Sequence, residues 1–284
     1  MKRPEDMVAD KRDERIPCPS GTPSGGPSEY PSRRVVVLGA SNLARCVSTV
    51  VETAQLAMGG PIDWLGAIGL GRSYGMTTSV LGRAVPGIVD CGLWDDLSRR
   101  PPADTYALLT DIGNDIAYGA NVEQIAEWVE QCLERLTPIC QRIIVTELPM
   151  ESLSTLGPFR FYFFRTLLFP KSRFSLDTTR SGALSLNARV IELAERYGAH
   201  VETPKAHWYG LDPIHIRMWH WSRAWREILS AWRDDVQFPR ARGSFTRWLR
   251  LQRQRPLSRH LFGFHQQRAQ PTCTLRDGTM ISLY

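Results

Sequence analysis

Val35-Val36-Val37-Leu38 runs straight into Gly39-Ala40-Ser41-Asn42, and this junction constrains the fold more than any other stretch. Four consecutive large aliphatic residues show no alternation, so both faces of the strand they form must be buried, as in the middle of a parallel sheet. Gly39 and Ala40 are small enough for a sharp turn. From Asn42 to Met58, Leu43, Val47, Val50, Val51, Ala54 and Ala57 then recur at helical spacing. Ser41 therefore stands at the carboxyl end of a strand and the amino end of a helix, where free N–H groups favour developing negative charge. A hydroxyl at that point suits a nucleophile, and it equally suits a helix cap, for which serine is among the best residues. A dinucleotide-binding turn has the same outline, but Gly39 is followed by residues such as Asn42 and Arg45 instead of further glycines.

The same rhythm continues downstream. Asp63 to Ile68 reads as a second strand and runs into Gly69-Leu70-Gly71-Arg72-Ser73-Tyr74-Gly75, a loop whose three glycines let backbone approach a ligand closely. Thr105 to Thr110 is a third strand, followed by Asp111-Ile112-Gly113-Asn114-Asp115 and an amphipathic helix over Val122 to Leu136. Arg142 to Leu148 is a fourth strand, stopped by Pro149, and Ala199 to Thr203 a short fifth, with a helix over Ser181 to Tyr197 between them. Strands alternating with helices imply right-handed crossovers and a parallel sheet covered on both faces, with the site at the carboxyl ends of the strands.

Two stretches depart from that rhythm. Met150 to Ser181 crowds Phe159, Phe161, Tyr162, Phe163, Phe164, Leu167, Leu168 and Phe169 into a few turns, more chain than a connection needs. It reads either as a helical excursion packed on the core or as the wall of an apolar pocket. Gly210-Leu211-Asp212-Pro213-Ile214-His215 precedes a tryptophan-rich helix expected over Ile216 to Val236. An acid three residues before a histidine, in a loop stiffened by proline, suits a general base and its orienting carboxylate.

These blocks occur in one order: Ser after strand one, a Gly-rich loop after strand two, Gly-Asn-Asp after strand three, and Asp-x-x-His before the last helix. That combination resembles the SGNH hydrolases, the GDSL-like esterase and lipase superfamily, over about Arg33 to Val236. The resemblance implies a three-layer α/β/α, flavodoxin-like fold with a five-stranded parallel sheet. It also implies Ser41 as nucleophile, His215 as general base with Asp212 behind it, and an oxyanion hole made by Ser41, Gly71 and Asn114. The family's usual Asp before the nucleophile is Ala40 here. The activity implied is hydrolysis of an acyl ester, acetyl or lipid, through a serine acyl-enzyme, with no metal and no organic cofactor. An acyltransferase using the same residues, and a non-catalytic scaffold working through its basic tail, are the other functions this sequence accommodates.

Composition bounds the rest. With 284 residues and 43% hydrophobic content a soluble core is affordable, and no apolar run approaches a membrane span. The amino terminus is charged and has no apolar signal core; together with six scattered cysteines this leads to an expectation of a cytoplasmic protein with reduced thiols. Residues 1–32, rich in Pro, Gly and Ser, are expected to be disordered, 33–237 to form the catalytic domain, and 238–284 to be a basic extension. The net charge of +6 belongs to that extension, where nine arginines from Arg240 onward face Asp277 alone. Its Ser244 to Gln254 segment, if helical, has an apolar and a basic edge, suited to an anionic membrane, to RNA, or to packing Trp248 against the body. A small-molecule ester is the expected partner.

Overall fold

A computed structural model describes residues 30–168, 175–233 and 237–284. The expectations for most of the amino-terminal segment, for Cys18 and Phe169, and for the end of the last helix fall outside these residues.

Eleven strands are present among them: β1 (Arg33–Leu38), β2 (Asp63–Ala67), β3 (Thr78–Val80), β4 (Arg83–Val85), β5 (Asp104–Leu109) and β6 (Cys140–Thr146) come first. β7 (His200–Glu202), β8 (Ser258–Leu261), β9 (Phe264–Gln267), β10 (Cys273–Thr274) and β11 (Met280–Leu283) follow. The main sheet has the order β10-β11-β2-β1-β5-β6-β7. Its five strands from β2 to β7 are parallel and reproduce the flavodoxin-like order, in which the chain's direction of travel reverses next to its first strand. β1 is the central strand, and its side chains split between two cores: Val36 and Leu38 face the helices Val122–Leu136 and Leu176–Arg196, while Val35 and Val37 face Val47–Met58 and Trp221–Ser230. That is the three-layer α/β/α arrangement.

The sheet is wider than the five strands expected. β11 lies parallel to β2, pairing Ile281 with Trp64, and β10 closes the edge antiparallel to it. Residues 238–284, read from their charge as an appendage, thus supply two strands of the main sheet. Met280 and Ile281 are buried there, and a four-residue strand is too short for periodicity to reveal. The tail helix Phe245–Gln252 is spent on packing as well. Its Trp248 Nε1 donates to the Arg45 carbonyl at 2.8 Å, and Arg247 bonds Ser48 Oγ at 2.9 Å and pairs with Glu52.

At the amino ends of the strands, opposite the serine turn, a buried ionic cluster joins these pieces. Asp63 is fully buried at the start of β2 and accepts from Arg34 Nε at 2.8 Å and from Arg100 Nη1. Arg100 Nη2 reaches Asp96 at 2.7 Å, Ser282 Oγ at 2.8 Å and Tyr284 Oη at 3.0 Å. Burial raises the Asp63 pKa against the pull of both arginines.

Helix ends differ from the sequence expectation in three places. The helix after β1 is interrupted at Cys46, whose ψ of 27° divides Ser41–Arg45 from Val47–Met58. Cys46 Sγ donates to the Asn42 carbonyl at 2.7 Å and accepts from Trp225 Nε1 at 2.8 Å, a local network that competes with a continuous ladder. The helix expected from Ser181 begins at Leu176, capped by Ser175, whose hydroxyl accepts from the Thr178 N–H at 3.1 Å. The tryptophan-rich helix begins at Trp221, after a short 3₁₀ turn over Met218–His220.

Candidate active site

β1 and β5 deliver the two halves of a turn that holds Ser41. Gly39 is needed there because a Cβ would stand 2.8 Å from the Thr110 carbonyl oxygen. Next to it Asp111 leaves β5 in the left-handed region, at φ +59°. Asp111 Oδ2 accepts the N–H groups of both Ala40 and Asn42, each at 3.0 Å, and Oδ1 accepts from Asn42 Nδ2 at 2.7 Å. Between these two claimed donors lies the Ser41 N–H. As the first residue of its helix, Ser41 has no intrahelical acceptor for it.

The loop that follows β7 brings the imidazole. His215 Nε2 is 2.8 Å from Ser41 Oγ, and His215 Nδ1 is 2.6 Å from Asp212 Oδ2. Asp212 Oδ1 also accepts the N–H groups of Ile214 at 3.1 Å and His215 at 3.2 Å, so loop and ring are set by one carboxylate. Desolvation works to raise the Asp212 pKa. The hydrogen bond and charge of His215, with the two N–H groups, more than reverse it and hold the carboxyl below its ordinary value. Burial pushes the Asp111 carboxyl up, opposed by the Asn42 hydrogen bond and by His215.

Asn42 ties the serine turn to the histidine loop. Its Nδ2 donates to the Ile214 carbonyl at 2.9 Å as well as to Asp111, and its Oδ1 accepts the Ile216 N–H at 2.8 Å. Asn42 and Asp111 both stand inside the sequence motifs, where local pattern assigns neither a role. Their signal was only that a polar residue sits beside each functional block.

Asn114 starts the short helix Asn114–Ala117, and its Nδ2 is buried without a hydrogen-bond partner among the described residues. A buried donor left unpaired is costly, and this one borders the cavity beside Ser41. Gly71 has φ +60°, and a Cβ there would lie 2.4 Å from Tyr118 Oη, which donates to the Gly71 carbonyl at 2.6 Å. The loop carrying it is fastened by Asp115, which is fully buried and accepts from Ser73 Oγ and, at 3.0 Å, from the Tyr74 N–H. Burial lifts the Asp115 pKa to about 6 against those two bonds.

Ser41, Asn42, Asp111 and Asn114 border an apolar cavity of about 140 Å³. Gly71, Asp212 and His215 are not among its lining residues. Leu153, Phe161 and Phe164, from the helices Met150–Ser154 and Pro158–Leu168, and Leu156 from the connection between them form one wall, and Trp208 and Ile228 lie among the residues of the opposite face's core. The aromatic excursion is therefore both things the sequence allowed: helical, and a wall. Phe159, Tyr162 and Phe163 point outward from it and are exposed. Among the described residues, no group of three His, Cys, Asp or Glu side chains gathers to hold a metal ion, and no helix is long and apolar enough to cross a membrane. Cys46, Cys91, Cys132, Cys140 and Cys273 are free thiols, and burial pushes the pKa of each one up.

No protein-family model and no curated protein matches the sequence. Solved structures do match in shape. One aligns with TM-score 0.50 at 14% identity, covering 71% of this chain and 97% of the other. The M. smegmatis aryl esterase aligns with TM-score 0.48 at 12% identity over 70% of this chain and 97% of its own. A carbohydrate acetylesterase family member from Sinorhizobium meliloti aligns with TM-score 0.46 at 13% identity, over 70% and 96%. At such identities the likeness is one of fold. The sheet order, with the loops that carry Ser41, Gly71, Asn114 and His215 at the carboxyl ends of β1, β2, β5 and β7, gives the chain's fold class: a three-layer α/β/α, flavodoxin-like fold.

Proposed function

We propose that this chain is a serine hydrolase that cleaves an acyl ester through an acyl-enzyme on Ser41. The observation that carries the reading is His215, with Nε2 at 2.8 Å from a serine hydroxyl and Nδ1 at 2.6 Å from a carboxylate. A serine hydroxyl is a poor nucleophile at neutral pH, and an imidazole so placed takes its proton as Oγ attacks the ester carbon. Asp212 holds the ring with its proton on Nδ1 and stabilises the imidazolium. His215 then returns the proton to the leaving alcohol, and a water repeats the sequence to release the acid.

As the carbonyl becomes tetrahedral its oxygen gains charge, and the donors available for it are the Ser41 N–H, the Gly71 N–H and Asn114 Nδ2. The unpaired state of Asn114 Nδ2 supports this role. The apolar lining supports an apolar substituent in the cavity beside Ser41. An acyltransferase would use the same first half-reaction and differ only in the acceptor, so product analysis with and without added alcohols separates the two.

The test is intact-mass analysis after treatment with a fluorophosphonate. One adduct is expected on the wild type and none on Ser41→Ala or His215→Ala. A folded wild type that takes up no label would overturn the reading and return the scaffold alternative.

A further inference from the structure

β3-β4 and β8-β9 form two hairpins joined edge to edge into a four-stranded antiparallel sheet, through the pairing of Arg83 with Leu261. Both hairpins turn in two residues, Leu81-Gly82 and Phe262-Gly263, and the tips meet: the Phe262 N–H donates to the Gly82 carbonyl at 2.7 Å. Two-residue turns with both residues at positive φ favour Asn-Gly or Asp-Gly. Here the first positions are Leu81 at φ +51° and Phe262 at φ +47°, bulky residues that are rarely left-handed. Leu81 is 87% exposed, Phe262 74% and Phe264, beside them, 76%. Backbone strain and exposure both disfavour these side chains, although the Phe262 ring packs over Gly82 of the neighbouring tip.

The same sheet carries arginines, and one of them closes a tip, Arg83 pairing with Val80 across the Leu81-Gly82 turn. Arg83 on β4 and Arg255 just before β8 are exposed, while Arg259 within β8 is buried and bonded through Nε to Gln266 Oε1 at 2.9 Å. None of the three is in an ion pair among the described residues. They lie close enough that, after burial, the Arg83 and Arg255 charges are what lower the Arg259 pKa. A second copy of the chain on this face would press guanidinium against guanidinium. An anionic lipid surface satisfies both parts, with acyl chains for the tips and headgroups for the arginines.

We propose that Leu81, Phe262 and Phe264 at the paired hairpin tips, together with the exposed Arg83 and Arg255, dock this protein on anionic membranes. The packing of Val80 near Gly71, where a Cβ on the glycine would lie 3.1 Å from Val80 Cγ2, puts the docked sheet beside one of the site loops. The proposal does not depend on the ester-hydrolase reading.

The experiment is co-sedimentation of the full chain with vesicles of phosphatidylcholine mixed with phosphatidylglycerol, and with phosphatidylcholine alone. Binding is expected to the mixed vesicles and to fall with added salt. Leu81→Asn with Phe262→Asn removes both tips, and asparagine tolerates the left-handed conformation. This double variant is expected to keep or raise its melting temperature while losing about tenfold or more in partitioning. Arg83→Ser with Arg255→Ser should abolish the preference for anionic over neutral vesicles. No sedimentation of the wild type with either vesicle, or equal binding by the tip variant, overturns the proposal. So does a dimer in size-exclusion chromatography that the tip variant disperses, which would assign the tips to self-association. RNA retention that depends on the arginines, without vesicle binding, would assign the cations to nucleic acid and likewise overturn it.

Discussion

Asp111 and Asn42 are joined by two hydrogen bonds, one from the Asn42 N–H at 3.0 Å and one from its Nδ2 at 2.7 Å, and between them they set Ser41 against His215. Asp111 holds the serine turn from β5, and Asn42 grips the histidine loop at the Ile214 carbonyl and the Ile216 N–H, on both sides of the imidazole. In the family that the sequence resembles, a carboxylate precedes the serine. Ala40 stands there in this chain, and a carboxylate from the neighbouring strand meets the turn's N–H groups.

Asp111 is thus a positioning residue. Asp111→Asn keeps the left-handed backbone accessible but sets an amide NH2 against one of the three donors, the Ala40 N–H, the Asn42 N–H and Asn42 Nδ2, that the carboxylate accepts. A serine hydroxyl displaced by about 1 Å costs on the order of a hundredfold in rate. We expect kcat to fall about that much with KM little changed, and the His215 proton resonance to shift. A variant with wild-type kcat would remove the role.

Asn114→Ala separates activity from stability. Losing one oxyanion donor costs about a hundred- to thousandfold in kcat. Since Asn114 Nδ2 is buried without a partner, removing it relieves an unsatisfied donor instead of breaking a bond. The variant should therefore be slow with a melting temperature equal to or above that of the wild type, as measured by calorimetry. A variant both slow and unstable would make Asn114 a structural residue.

Asp63→Ala tests the ionic cluster at the far end of the sheet. It leaves Arg34 and Arg100 buried with no carboxylate between them, and breaking such a pair from one side costs about 3–5 kcal/mol. Denaturant unfolding should read that loss. Fluorophosphonate labelling of the fraction that remains folded should be unchanged, because Asp63 sits at the opposite end of β2 from the site.

The pH dependence of stability carries the mark of Asp115. Its folded pKa of about 6 exceeds the ordinary 3.8, so folding favours the protonated carboxyl. Stability from this group is complete below about pH 3.8 and is lost as pH rises through about 6. Compared with Asp115→Asn, the wild type should lose up to about 3 kcal/mol between these limits. A constant gap between the two unfolding profiles across that range would show that Asp115 is not the group involved.

What the sequence by itself determined is the part written in local pattern. The run Val35 to Leu38 required a doubly buried central strand, and its alternation with amphipathic segments required a parallel α/β/α sheet. The order of the Ser41, Gly71, Asn114 and Asp212-x-x-His215 blocks placed each at the carboxyl end of a strand, because strand ends are where a chain with this rhythm must loop. What only the tertiary structure decided is what meets across long separations. β11 pairs with β2 through backbone hydrogen bonds, which carry no side-chain signature, so a tail marked by its arginines concealed two strands of the sheet. Asp111 reaches Ala40 and Asn42, and Asn42 reaches the loop of His215, only once β1 and β5 lie side by side and the chain has returned after β7. Leu81 and Phe262 likewise become neighbours through the pairing of β4 with β8. Composition and periodicity report which face of an element is buried; they do not report which polar atoms end up within 3 Å of one another, and it is those atoms that make the site.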